Sequence, residues 1–296
     1  MNVALYGRNT LANKPEYVLA IYEKLKQYNS QLFICESFYR FLKDNFQLAL
    51  DVPVLCTTDD FTKNKIDILL SLGGDGTLLE TLTLIKHLPI PVFGINTGKL
   101  GFLTYDFKEN MADAIQLIID KQYTIDKRHL IELLYPTKQI QDIHYALNEI
   151  VIHKRGVSSM LYIDVMIDDT YLTTIFSDGV IISTATGSTA YSLSCGGPIL
   201  EPNLNAFIIT PIASHSLNAR PIVISNQHIL SFKIYGRNPQ YILSMDARTY
   251  SLNIDFSKET IRIGRASNLF NLVVPHPYHF FDSLRNKLYW GTDKRF

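Results

Sequence analysis

The alternation of short apolar runs with amphipathic segments through the first 121 residues is the feature that most constrains the fold. Four apolar runs are predicted to be strands: Val3–Gly7, Gln31–Cys35, Ile66–Leu72 and Pro91–Asn96. The segments between and after them predict helices, placed at the stretch that begins at Pro15 and at Ser37–Ala49, Thr77–His87 and Asn110–Lys121. Strands that alternate with helices predict a parallel sheet covered by helices.

From about Tyr123 the pattern changes to short segments rich in Ile, Val, Thr and Tyr, which predicts a mostly β architecture. The predicted strands are Tyr162–Ile167 and Tyr171–Phe176 around a turn at 168–170, Ile229–Tyr235 and Tyr241–Met245 around a turn at 236–239, Ser251–Phe256 and Thr260–Gly264. The predicted fold class is α/β plus β. A Rossmann-like parallel α/β domain spans residues 1–122, and a β-sandwich-type domain spans 123–270. A tail at 271–296, with a short helix at Ser283–Tyr289, packs back on the first domain.

Composition narrows the class of protein. Hydrophobic residues make up 47% of the chain and charged residues 19%, which provides for a buried core, and the formal net charge is zero. A neutral chain carries no overall attraction to nucleic acid or to anionic membranes. The three widely spaced cysteines and the absence of a long apolar run favour a cytoplasmic protein with neither nucleic acid nor membrane as partner.

A glycine-rich turn, Gly73-Gly74-Asp75-Gly76-Thr77, follows a predicted strand and opens a predicted helix. Glycines permit close approach of the backbone to a ligand, and helix N-termini present free N–H groups that suit phosphate. Thr77 is a candidate helix cap or phosphate ligand. The turn is therefore predicted to be a phosphate-binding site, although an ordinary strand-to-helix turn is the plainer alternative.

Asp75 is the unusual member of this turn, because a carboxylate among phosphate-binding amides repels phosphate. Three roles fit an aspartate there: accepting a proton from a hydroxyl nucleophile, orienting that hydroxyl, or holding Mg²⁺ near a triphosphate. The non-functional alternative is a helix cap.

A second cluster, dense in hydroxyls and small residues, runs from Thr184 to Pro198 as Thr-Ala-Thr-Gly-Ser-Thr-Ala-Tyr-Ser-Leu-Ser-Cys-Gly-Gly-Pro. Between the two clusters lie Gly94-Ile95-Asn96-Thr97-Gly98-Lys99-Leu100-Gly101-Phe102-Leu103-Thr104 and the pair Asn148-Glu149. Four motifs in this order, across residues 73–198, resemble the NAD kinase family. Any one of the motifs alone is much less specific.

The resemblance implies transfer of a phosphoryl group from ATP, with a divalent cation such as Mg²⁺, to the 2′-hydroxyl of the adenosine ribose of NAD. It implies that Asp75 contacts the ribose hydroxyls and activates the nucleophile, and that Gly73, Gly74, Gly76 and Thr77 form the phosphate-binding turn. It also implies a homodimer or homotetramer, because some family site residues come from a neighbouring subunit. The residues that it implies for NAD binding are Asp75, Gly76, Phe102, Asn148, Glu149, Asp178, Thr186, Thr189, Ala190, Tyr191, Ser194 and Arg248.

Three positions depart from the family pattern. Ala185 stands where a proline is usual, which loosens the entry to the loop without removing a contact. In Met245-Asp246-Ala247-Arg248, Ala247 stands where the family has Gly and Arg248 stands where it has Gln. Its guanidinium suits either a phosphate or a carboxylate at the surface, and the sequence leaves both open.

Two other classes of function compete with this reading. Lipid kinases and 6-phosphofructokinase-like sugar kinases share a Gly-Gly-Asp-Gly turn, although the Asn148-Glu149 pair favours NAD kinase. A non-catalytic NAD(P) sensor on the same fold would need neither Asp75 nor a triphosphate site.

Overall fold

The computed structural model describes residues 1–8, 14–98, 101–138, 140, 142–156, 160–216, 218–235, 241–251 and 259–291. The chain divides into two compact units. Unit 1 comprises Met1–Lys127 and Asn271–Phe296, and unit 2 comprises Arg128–Phe270.

Unit 1 contains a parallel sheet, as the sequence predicted. Its strands are β1 (Asn2–Gly7), β2 (Gln31–Cys35), β3 (Val54–Leu55), β4 (Ile68–Leu72), β5 (Val92–Asn96) and β6 (Tyr105–Asp106). Its helices up to residue 127 are α1 (Pro15–Gln27), α2 (Glu36–Phe46), α3 (Thr58–Lys63), α4 (Asp75–Ile85) and α5 (Met111–Ile119). The strand order is β5-β4-β1-β2-β3, and β6 pairs with β5.

The apolar pattern explains these elements. Every residue of β4 is buried, which accounts for its uninterrupted apolar sequence, because a central parallel strand is covered on both faces. Helix α1 begins at Pro15, and its buried face consists of Val18, Ile21 and Leu25. Leu19 lies outside this buried face and is 38% exposed.

Unit 2 consists mainly of antiparallel strands. They are β7 (Tyr123–Tyr135), β8 (Tyr145–Ala146), β9 (Glu149–Lys154), β10 (Leu161–Ile167), β11 (Thr170–Ser177), β12 (Gly179–Thr184), β13 (Ala206–Ile212), β14 (Ile222–Ser225), β15 (Leu230–Tyr235), β16 (Tyr241–Met245), β17 (Arg248–Tyr250) and β18 (Ile261–Pro275). A 3₁₀ turn (Thr186–Thr189) and helix α6 (Tyr191–Ser194) follow β12. Strand β7 enters unit 2 from unit 1, and β18 leads back.

Two sheets enclose the core of unit 2. One has the order β11-β10-β15-β18 and the other the order β14-β13-β12-β9-β16-β17. Buried residues of both sheets, such as Ile163 and Phe232 from the first and Ile150 and Phe207 from the second, form one apolar cluster. The predicted α/β plus β fold class is therefore confirmed.

The first predicted hairpin is present and the second is not. Strands β10 and β11 pair across Asp168 and Asp169, whose φ angles of 48° and 65° suit a tight two-residue turn. Strands β15 and β16 belong to different sheets. The turn predicted at 236–239 lies outside the described residues, as do residues 252–256 of the strand predicted at Ser251–Phe256. The strand predicted at Thr260–Gly264 is the start of β18.

After β18 the chain ends in helix α7 (Phe280–Leu288), which starts three residues before the predicted Ser283. On the way, Leu272 pairs with Val92 of β5, and the His276 N–H donates to the Gln122 carbonyl. Among the helices of the described residues, none combines the length and apolar composition that a membrane span requires.

Candidate active site

The glycine turn lies at the switch point of the unit 1 sheet. In the order β5-β4-β1-β2-β3, the chain leaves β1 toward β2 on one side and leaves β4 toward β5 on the other. In open α/β sheets, ligands bind in the crevice at the carboxyl ends of such a strand pair. Residues 73–76 follow β4, and Arg8 follows β1. Arg8 Nη1 lies 4.0 Å from where a Cβ on Gly76 would be.

Helix α4 begins at Asp75, two residues before the predicted start, so Thr77 is not its cap. Gly74 is the N-cap residue, and Thr77 is buried with its N–H donating to the Gly74 carbonyl. Gly73 alone of the three glycines has a positive φ, at 154°. A Cβ on Gly74 would meet nothing within 4 Å. The first turn of α4 therefore presents N–H groups beside open space.

The Asp75 carboxylate is held by the segment that follows β5. Oδ2 accepts the Phe102 N–H at 2.5 Å, and Oδ1 accepts the Leu103 N–H and the Thr104 hydroxyl, both at 3.0 Å. A carboxylate offers about four acceptor positions. Among the described residues three are filled, so one position on Oδ2 is open to a hydroxyl.

This contact depends on a glycine. A Cβ on Gly101 would lie 1.9 Å from Asp75 Oδ1 and 2.3 Å from Cγ. The Gly101 backbone therefore lies against the carboxylate, and no other residue type fits without displacing it. The sequence placed Gly101 in a motif but gave no sign that its partner was Asp75.

Lys287 of helix α7 is a site residue that the sequence reasoning missed. Its Nζ lies 5.1 Å from the centroid of the Phe102 ring. Burial lowers the pKa of Lys287 to about 8, against the opposing effect of the Asp75 charge. Lys287 lies 212 positions after Asp75 in the sequence. A lysine on a C-terminal helix belongs to no recognisable motif, so the sequence did not indicate it.

The described residues contain no dedicated metal cage. Within the described residues, no group of three or more His, Cys, Asp or Glu side chains could hold an ion. Mg²⁺ in kinase sites is commonly held by one or two carboxylates plus substrate phosphates.

In unit 2, Asp246 fixes the Asn148-Glu149 pair. Its Oδ1 accepts the N–H groups of Asn148 at 2.8 Å and Glu149 at 3.3 Å, and its Oδ2 accepts that of Leu147 at 2.9 Å. The Asp246 N–H donates in return to the Glu149 carbonyl. Asp246 was not among the predicted site residues, and it positions two of them.

The Asn148 backbone also joins the pair to the second cluster. Its carbonyl accepts the Thr184 N–H at 2.8 Å, and Gly187 packs so closely that a Cβ there would lie 2.2 Å from that oxygen. The Asn148 side-chain amide has no hydrogen-bond partner within the described part of the chain. Its donor and its acceptor are therefore available to a ligand such as an adenine edge.

Glu149 is buried, and its carboxylate accepts the Tyr191 backbone N–H. Burial, reinforced by the neighbouring Asp246 charge, raises the pKa of Glu149 to about 8. Burial likewise raises the pKa of Asp246. Glu149 Oε2 is buried and has no hydrogen-bond partner among the described residues.

The rest of the second cluster surrounds this pair. Thr186 is buried and its hydroxyl accepts from Arg128 Nη1 at 3.2 Å. Thr189 and Ala190 are partly exposed at the junction of the 3₁₀ turn and α6, while Tyr191, 40% exposed, and Ser194 face outward. The structure thus brings Asn148, Glu149, Thr186 and Tyr191 together around one end of β12.

Asp178 lies at the other end of that strand. It precedes β12, whose six residues extend roughly 20 Å before the cluster begins. There Asp178 forms an ion pair with Lys154, 2.7 Å between Nζ and Oδ1. Burial raises the pKa of Tyr191, and the charges of Cys195, Glu149 and Asp178 add to the effect, so Asp178 lies within electrostatic reach of the Tyr191 side chain in this group.

Arg248 is engaged by its own chain. Its guanidinium donates to the carbonyls of Ile143 at 3.1 Å and Tyr145 at 2.5 Å, and it lies 3.9 Å from an Asp142 carboxylate oxygen. These contacts anchor the segment before β8 to β17. The sequence named a phosphate or a carboxylate as partner; the hydrogen bonds go instead to these backbone carbonyls, with the Asp142 carboxylate nearby.

A glycine turn at the switch point of a parallel sheet is typical of nucleotide-binding α/β proteins. The profile of the ATP-NAD kinase N-terminal domain matches residues 21–123, and that of the ATP-NAD kinase C-terminal domain matches residues 147–274. Together the two matches cover most of the chain. The chain belongs to the ATP-NAD kinase family.

Individual relatives agree over their full length. The NAD kinase of Cytophaga hutchinsonii is 40% identical, and that of Flavobacterium psychrophilum is 38% identical, each with 100% of both chains covered. A crystal structure of yeast NADH kinase complexed with NADH matches with a TM-score of 0.82 at 24% identity, covering 99% of this chain and 88% of the other. An NAD kinase from Archaeoglobus fulgidus in complex with ATP matches with a TM-score of 0.74 at 26% identity, covering 98% and 99%.

Proposed function

We propose that this chain is an NAD kinase, which transfers the γ-phosphoryl group of ATP to the 2′-hydroxyl of the adenosine ribose of NAD and releases NADP and ADP. Family membership and full-length relatives named NAD kinase support the activity. The observation that carries the chemistry is the Asp75 carboxylate, which keeps one open acceptor position beside the first turn of α4.

In this proposal Asp75 orients the nucleophile. The 2′-hydroxyl donates to the open position on Oδ2, which directs an oxygen lone pair toward the phosphoryl group. Phosphoryl transfer is mainly alignment and charge neutralisation, so a well-placed acceptor is sufficient without covalent chemistry. The N–H groups at residues 74–76 donate to phosphate oxygens. Mg²⁺ held by the triphosphate would neutralise charge there.

The unit 2 group supplies the NAD contacts. The Asn148 amide pairs with the adenine edge, the Glu149 carboxyl bonds to a ribose hydroxyl, and the Tyr191 ring provides a stacking face. Thr186, Thr189, Ala190 and Ser194 complete the set within unit 2, and Phe102 belongs to the Asp75 group of unit 1. These assignments rest on the family resemblance together with the available side-chain atoms described above.

The test measures NADP formation from NAD, ATP and Mg²⁺ by coupling to an NADP-specific dehydrogenase, with Asp75→Asn alongside and NADH as a second acceptor. Wild-type turnover that collapses in the variant, with NAD binding retained in calorimetry, supports the proposal. NAD binding without any NADP indicates a sensor. Binding of neither NAD nor ATP redirects the search to lipid or sugar acceptors.

We further propose that the enzyme works as a homo-oligomer, with Asp178 serving the site of a neighbouring subunit. This accounts for its position at the far end of β12 from Asn148 and Glu149. Co-expression of Asp178→Ala with Glu149→Ala provides the test, because mixed assemblies contain some sites with neither substitution. Activity well above that of either variant alone supports sharing, and activity no higher than theirs rejects it.

A further inference from the structure

A cavity of about 500 Å³ in unit 1 adjoins the Asp75 site and has no role in the function described so far. Helix α7 and the segment before it form one wall and the start of β6 forms the other. Two lining residues belong to the Asp75 surroundings: Thr104, whose hydroxyl donates to Asp75, and Lys287, whose Nζ faces the Phe102 ring. The full lining is Thr104, Tyr105, Asp106, Pro277, Tyr278, Asp282, Ser283, Asn286 and Lys287.

The charged side chains that line this cavity differ in whether they have a partner of opposite charge. Asp106 pairs with Lys108 at 3.2 Å, and Asp282 pairs with Arg285 and also accepts the His279 N–H as a helix cap. Lys287, in contrast, forms no ion pair and no hydrogen bond with any described residue. The charge left for a ligand in this lining is therefore the Lys287 ammonium.

Neutral donors stand on the same helix. Ser283 and Asn286 line the cavity together with Lys287. On the helix, Ser283 lies one turn before Lys287 and Asn286 lies one residue before it. A hydroxyl, an amide and an ammonium on one wall are the groups that bind phosphate oxygens, and lysine does so as a compact point charge. The volume lies within the range of pockets that hold a nucleotide-sized ligand.

We propose that Lys287 binds a phosphate group of the phosphoryl donor in this cavity, so that the triphosphate runs from helix α7 to Asp75. The inference rests on the proposed kinase function and names a residue for it. Burial lowers the pKa of Lys287 to about 8 despite the nearby Asp75 charge, and a bound phosphate would further favour its charged form.

A purely structural role is the competing explanation, in which the lysine stem packs on Phe102 and the charge does nothing. Lys287→Met keeps an apolar stem and removes the charge, whereas Lys287→Arg keeps the charge. Lys43→Met, on the exposed side of α2, is the matched control because it removes the same charge from the same unit. Lys287→Gln serves as the second neutral variant if the methionine variant does not fold.

The experiment measures KM for ATP and for NAD, and the Kd of inorganic tripolyphosphate by calorimetry, for all variants. We expect Lys287→Met to raise KM for ATP and the Kd of tripolyphosphate at least tenfold with KM for NAD within twofold. Lys287→Arg should stay within threefold and Lys43→Met unchanged. Unchanged tripolyphosphate affinity in Lys287→Met, or an equal rise in KM for NAD, overturns the inference. If wild type makes no NADP, the proposed function fails while the tripolyphosphate titration still decides Lys287.

Discussion

Replacement of Gly101 by alanine is the sharpest test of the Asp75 geometry. The added Cβ would lie 1.9 Å from Asp75 Oδ1, whereas ordinary contact begins at 3.4 Å. The carboxylate must therefore retreat by about 1.5 Å, which breaks its bonds to Phe102, Leu103 and Thr104. Misplacement of a reacting group by about 1 Å costs roughly 10²-fold in rate. We expect kcat to fall at least 100-fold, about 2.7 kcal/mol of transition-state stabilisation.

The assay is the coupled NADP measurement, with thermal unfolding of each variant. Gly98→Ala is the control, because it makes the same change three positions earlier where a Cβ meets nothing within 4 Å. Overpacking costs about 1–3 kcal/mol of stability, so Gly101→Ala should remain folded at 25 °C. A folded Gly101→Ala enzyme with turnover within twofold of Gly98→Ala would refute the reasoning.

Two further predictions concern unit 2. The first is that Asp246→Asn leaves at least one of three backbone N–H groups facing an amide donor, so the free energy of unfolding in urea should fall by about 2 kcal/mol. The control, Asp169→Asn in the exposed turn, should lose less than about 0.5 kcal/mol. Equal losses in the two variants would contradict the role of Asp246. The second follows from the pKa of Glu149, which is raised to about 8, so the folded state holds a proton on Glu149 at pH values where the unfolded chain has lost it. As the pH rises from about 5 to 8, the free energy of unfolding of the wild type should therefore fall relative to that of Glu149→Gln, by up to roughly 1.4 kcal/mol per pH unit. A difference that is flat with pH would argue against it.

The architecture was largely predictable because the burial of a segment determines which of its residues must be apolar. A parallel strand covered on both faces must be apolar throughout, so β4 and β5 stood out, and β2 was predicted with its observed bounds. Exposed polar turns between alternating strands likewise revealed β10 and β11. Pairing was less predictable: β15 and β16, adjacent in sequence, lie in different sheets, since strand partners depend on contacts between residues far apart in the chain.

The candidate site divides in the same way. Asp75, Asn148 and Glu149 lie in short sequence motifs, so the sequence alone was sufficient to name them as candidate site residues. The sequence could not show that three donors from residues 102–104 occupy most of the Asp75 carboxylate. Nor could it show that the Arg248 guanidinium is taken up by backbone carbonyls.

The sequence by itself determined the two classes of architecture, the phosphate-type turn and the family, because these depend on local periodicity and on residues close together in the chain. Only the tertiary structure decided which groups surround those motifs. Lys287 lies beside Phe102, and Asp246 lies beside Asn148 although 98 positions separate them in the sequence, because folding brings distant parts of the chain together. Electrostatic interactions and hydrogen bonds act over a few ångströms. The chemistry of the site therefore depends on distances between side chains that are far apart in the sequence, and a local sequence pattern does not contain those distances.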